Sequence, residues 1–99
     1  MIDHFATNVH ALLNATKGYE GGEIPEASDG RHIRRLAEWV ACQRDNPFVN
    51  HTLPQLLAID FADATLAWVD DPTSDAKIAG FRNARTAFLD SPPPDAPNE

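Results

Sequence analysis

Leu53-Pro-Gln-Leu-Leu-Ala-Ile-Asp-Phe-Ala-Asp-Ala-Thr-Leu-Ala-Trp-Val69 is the longest apolar-periodic stretch of this 99-residue chain. Leu53, Leu57, Phe61, Ala64 and Trp68 recur at three- and four-residue intervals, the repeat of one helix face. Ile59, Leu66 and Val69 form a second stripe on the other side. A helix that is apolar on two sides either lies in the middle of a bundle or packs on a partner. Thr52 can cap this helix, and Pro54 falls in its first turn, where the missing N–H costs nothing.

The flanking residues extend the pattern. After Val69, Asp70-Asp71-Pro72-Thr73-Ser74-Asp75 reads as a tight turn. Asp71 with Pro72 behind it, or Thr73 with acids in the first turn, can start a fourth helix over about residues 74–89. Its core face is Ile78, Phe81, Ala84, Phe88 and Leu89. Before Leu53, Asp45-Asn46-Pro47 stops a second helix, because proline disfavours helix in the residue preceding it. Phe48 and Val49 are expected to tuck under that connection. The second helix covers about residues 29–44, with Ser28 or Asp29 as its cap. Ile33, Leu36, Ala37 and Val40 make its core stripe, with Trp39 at the edge; Arg31, Arg34, Arg35 and Glu38 make its outer face.

Three glycines and a proline mark residues 18–28 as a loop. The first helix runs over about residues 4–17, with Asp3 as its cap and Gly18 in the left-handed position beyond it. Phe5, Val9, Leu12 and Leu13 share one face. The proline-rich end, Ser91-Pro-Pro-Pro-Asp-Ala-Pro-Asn-Glu99, cannot be helical and is expected to be disordered. The expected fold is therefore all-α: a compact four-helix bundle-like single domain over residues 1–90, with a flexible tail over 91–99.

Composition agrees. The apolar fraction of 42% supports one modest core. Net charge is −7, from 15 acidic and 8 basic residues, which repels nucleic acid and anionic membranes. Cys42 has no intrachain partner, which fits a reducing compartment. No window reaches the roughly 18 apolar residues of a membrane span. A cytoplasmic location follows as the expectation.

Two charges fall inside apolar stripes on an average helical wheel: Asp60 on helix three and Arg85 on helix four. A turn centred near Pro72 sets them level across the hairpin, and likewise Asp63 with Arg82. Buried charges are normally paired. Asp60–Arg85 and Asp63–Arg82 are therefore expected as structural ion pairs.

No signature of catalysis emerges. His4, His10, His32 and His51 include no pair three or four residues apart, so no helix face offers a metal site. Cys42 lies about 15 Å by helical rise from His32, its only histidine on the same helix. Gly21-Gly22 has no following lysine and is no phosphate loop. Neither metal nor cofactor is expected. Asp60 and Asp63, one turn apart, sustain an enzyme alternative. Arg31, Arg34 and Arg35 sustain a DNA-associated regulator as a second alternative, against which the overall acidity argues.

The favoured expectation is a non-catalytic protein-binding module, a small acidic inhibitor that acts by occluding a partner's surface. Ile59, Leu66 and Val69, with Trp39, would form an apolar patch; Arg31, Arg34 and Arg35 with Asp70, Asp71 and Asp75 would form its charged rim. The acids could also occupy a basic groove meant for nucleic acid. The same stripe can instead bury itself in a homodimer. Should it face helix one, no large apolar surface is left for a partner. In size, charge and lack of cofactor signature the chain is broadly similar to inhibitors carried by phages and plasmids. These include anti-CRISPR-like inhibitors of bacterial defence systems and toxin-immunity proteins.

Overall fold

Punctuation residues fix the helix ends. The computed structural model describes residues 4–19, 24–47 and 52–90. Within them lie α1 (His4–Thr16), α2 (Ala27–Cys42), α3 (Leu53–Asp70) and α4 (Asp75–Asp90), with a 3-10 turn, Gln43–Asp45, continuing α2. No strand occurs among the described residues. Asp3, Phe48, Val49 and the tail over 91–99 lie outside them.

Gly18 adopts a positive φ of 97° after α1, the conformation a helix stop demands and glycine tolerates. Gln55 reaches back to the start of α3, where its Oε1 accepts from the Thr52 N–H at 3.1 Å and from the Thr52 hydroxyl at 2.9 Å. Two starts differ from expectation. α2 begins at Ala27 behind Glu26, so Ser28 and Asp29 sit inside its first turn. There Asp29 still complements the positive end of the helix dipole. Ser74, not Asp71 or Thr73, caps α4, with its Oγ accepting from the Lys77 N–H at 3.4 Å.

Each helix packs chiefly on its neighbours in sequence. α3 is thus flanked by α2 and α4, which explains why it is apolar on two sides. Phe5, Val9, Leu12, Ile33, Ala37, Val40, Ala58, Ile59, Phe61, Ala62, Trp68 and Phe81 form one buried cluster. An aromatic stack joins α3 to α4: Trp68 lies on Phe81 with centroids 4.4 Å apart, and Phe61 stacks on Phe88 at 6.3 Å. Such pairs add about 0.5–1.5 kcal/mol beyond area burial. Among the described residues the buried Trp68 Nε1 has no hydrogen-bond partner, a cost of about 1–3 kcal/mol that offsets part of the gain from burying the ring. Leu53 and Leu89, expected in the core, are 65% and 53% exposed. Leu53 is the first residue of α3, and Leu89 sits in the last turn of α4, where Phe88 is the residue turned to Phe61.

Tyr19 ties three elements together. Its ring leans on Trp68 at 5.9 Å, and its hydroxyl donates to Asp29 Oδ2 at 2.8 Å. The apolar body meets the core while the polar tip stays wet.

Candidate docking face

α2 presents three different sides. Ile33, Ala37 and Val40 point into the core and are buried. One step round the helix, Arg34 reaches Asp70 of α3. From the 3-10 turn, Arg44 reaches both Asp60, at 3.0 Å, and Asp63, at 2.5 Å. Hydrogen bonds to Asp60 and then Asp63 raise the Arg44 pKa further above its ordinary value, so this cation stays charged. Arg34 and Arg44 are ten residues apart, as are Asp70 and Asp60. The two straps therefore share one antiparallel register between α3 and the α2–turn segment.

These contacts revise the expected ion pairs. Asp60 is exposed and bound to Arg44, not set in the core opposite Arg85. Asp63 shares the same guanidinium and not that of Arg82. Arg85 instead donates from Nε to Thr16 Oγ1 at 3.2 Å and from Nη2 to the Leu13 carbonyl at 3.1 Å. A cation on the last-turn carbonyls of α1 is well placed against the negative end of that helix.

The expected apolar patch is also revised. Ile59 is 0% exposed, and Leu66 and Val69 are half-buried against the core. Ile59 therefore serves the core and is not open to a partner, while Leu66 and Val69 pack against that core with part of their surface left outside. The acidic rim is partly engaged as well: Asp70 holds Arg34, and Asp71 lies 3.6 Å from Lys77. Asp75 is exposed in the first turn of α4, on a different helix from Arg31, Arg35 and Trp39, and forms no part of the candidate face on α2.

The third side of α2 remains outward. Arg31, Arg35, Glu38, Trp39 and Cys42 recur at three- and four-residue steps, and all are exposed. Trp39, at 36%, is the one exposed aromatic ring among the described residues. Arg31 and Arg35 form no ion pair among the described residues. Of the three arginines expected to share one basic strip, Arg34 is thus structural, whereas Arg31 and Arg35 are free.

A cleft of about 330 Å³ opens between the end of α1 and the start of α2, lined by Lys17, Tyr19, Asp29, His32 and Ile33 among others. Its carboxylate is held by Tyr19. Among the described residues no three His, Cys, Asp or Glu side chains converge on a metal position, and no helix is long and apolar enough to cross a membrane. Asp60 and Asp63 lie on the exposed surface, both engaged by Arg44. No known family model matches the sequence, and no curated protein or solved structure proves similar to it.

Proposed function

We propose that this protein is a non-catalytic protein-binding module that acts by covering part of a partner's surface, as a small inhibitor or immunity protein does. The observation carrying this reading is the outer stripe of α2, where an exposed tryptophan sits beside two arginines that form no ion pair among the described residues. Tryptophan and arginine are the residues most enriched at binding hot spots. A soluble domain gains nothing in its own stability from holding them outside. The stripe lies on a regular helix strapped to α3 from its middle, at Arg34, and from the turn that follows it, at Arg44, so it meets a partner already ordered, which keeps the entropic cost of association low.

Affinity capture from the cells that naturally carry the protein tests this reading. Trp39→Asp serves as the control, a surface change that should remain helical by circular dichroism. One protein retained in stoichiometric amount by the native chain, and lost by Trp39→Asp, is the expected result. Retention of nothing by either form would refute the proposal.

A further inference from the structure

We infer that the outer face of α2 recognises an anionic protein surface: a pair of carboxylates one helical turn apart, followed by an apolar recess that receives Trp39. This inference rests on the binding reading above and assigns its chemistry.

Charge bookkeeping within the molecule carries it. The chain has 15 carboxylate side chains and 8 basic residues, so intramolecular partners are plentiful. Arg34, Arg44 and Lys77 each hold one or two of them. Arg31 and Arg35 hold none among the described residues, although both stand on a rigid helix in an otherwise acidic protein. Arginine's planar fork suits bidentate contact with carboxylate, and its head group is weakly hydrated, so it desolvates at an interface more readily than lysine.

Spacing sets the shape of the partner's site. Arg31, Arg35 and Trp39 are four residues apart and share one face. At 1.5 Å per residue, the two guanidinium positions are about 6 Å apart along the axis, and the indole lies about 6 Å further on. Two carboxylates on successive turns of a helix have the same spacing. The nearby Glu38 disfavours an acid directly beside Trp39, which leaves that end of the contact apolar.

Nucleic acid fits less well. Binding to a phosphate polymer draws its strength from many neutralised phosphates, commonly about 6–10 for a specific protein. This face offers two arginines, and a net charge of −7 works against them. Charges on other faces are screened from a local contact over about 8–10 Å, so the same net charge does not prevent two arginines from meeting two carboxylates. It does discourage indiscriminate adhesion to acidic surfaces.

Site-specific photo-crosslinking in the native cells decides the matter. A benzoylphenylalanine replaces Glu38, at the centre of the stripe, or Asp75, exposed on α4. The expected result is a protein adduct from position 38 but not from position 75. Its crosslinked peptide should contain two Asp or Glu residues within one helical turn. Adding Arg31→Glu with Arg35→Glu should lower the yield at least about tenfold, and the milder Arg31→Gln with Arg35→Gln less. Circular dichroism must show each variant helical. Adducts only from position 75 would overturn the inference and leave the binding reading standing. Adducts from position 38 that ignore both arginine variants would overturn the anionic chemistry alone. A nucleic-acid adduct at position 38 would overturn the inference. No adduct at either position, with capture also empty, would remove both.

Discussion

Two sides of one helix carry arginines with opposite fates. On the side that meets α3, Arg34 of α2 and Arg44 of the 3-10 turn continuing it are spent on Asp70, Asp60 and Asp63. On the outer side, Arg31 and Arg35 meet no carboxylate among the described residues and frame the exposed Trp39. The residue types are the same, and neighbours in sequence fall on different sides. Only helical phase and the antiparallel register of α3 separate a strap from a candidate docking surface. A basic stretch read as one strip is thus two half-strips with different work.

That contrast can be broken from the inside outward. The largest effect is expected in the core stripe that a partner was expected to use. Ile59→Ala should cost about 2–5 kcal/mol, with the melting temperature falling by about 4–8 °C per kcal/mol. A thermal melt that hardly moved would return Ile59 to the surface. Next comes Tyr19→Phe, which keeps the ring against Trp68 and removes the hydrogen bond to Asp29. Because the bond is exposed, the loss should fall near the lower end of about 0.5–1.5 kcal/mol in denaturant titration.

The straps should matter less. Arg44 and its two acids are each about half exposed, and exposed pairs contribute about 0.2–1 kcal/mol. A double-mutant cycle combining Arg44→Ala with Asp60→Ala should give a coupling in that range that shrinks as salt is added. A coupling of zero at low salt would remove Arg44 from the α2–α3 seam. Smallest of all, Arg31→Glu with Arg35→Glu should leave stability within about 0.5 kcal/mol by chemical denaturation. A large loss there would mean that the outer side of α2 is structural after all.

Much of this architecture is legible in the sequence. Helical spacing located all four helices, and it identified Phe5, Val9, Leu12, Ile33, Ala37, Val40, Phe61, Trp68 and Phe81 as core, where they lie. Gly18 was readable as a stop because few other residues accept its backbone angle. The charges were harder. Asp60 looked internal because Leu53 and Leu56 flank it on the wheel, yet both leucines are exposed in the first turn of α3. An average wheel takes no account of where neighbouring helices end.

The missing signal was present in another form. Arg34 and Arg44 repeat at the same interval as Asp60 and Asp70, the mark of two antiparallel segments strapped in one register. The Tyr19–Asp29 contact had no comparable signal, since it depends on how the loop after α1 turns. Likewise the two apolar stripes of α3 suggested either a central helix or a partner. Only the placement of α2 and α4 on either side shows that both stripes serve the fold. The candidate face was therefore visible residue by residue, but the apolar centre first assigned to it belonged to the core.

The most direct test of the central claim is the affinity of the captured partner for the native chain and for Trp39→Ala, measured by calorimetry on variants shown to be helical. The account predicts that Trp39→Ala weakens binding at least about tenfold, or about 1.4 kcal/mol, while Asp75→Ala leaves it unchanged. Unchanged affinity for Trp39→Ala, with binding lost on Asp75→Ala, would contradict it and move the contact to the α3–α4 end of the molecule.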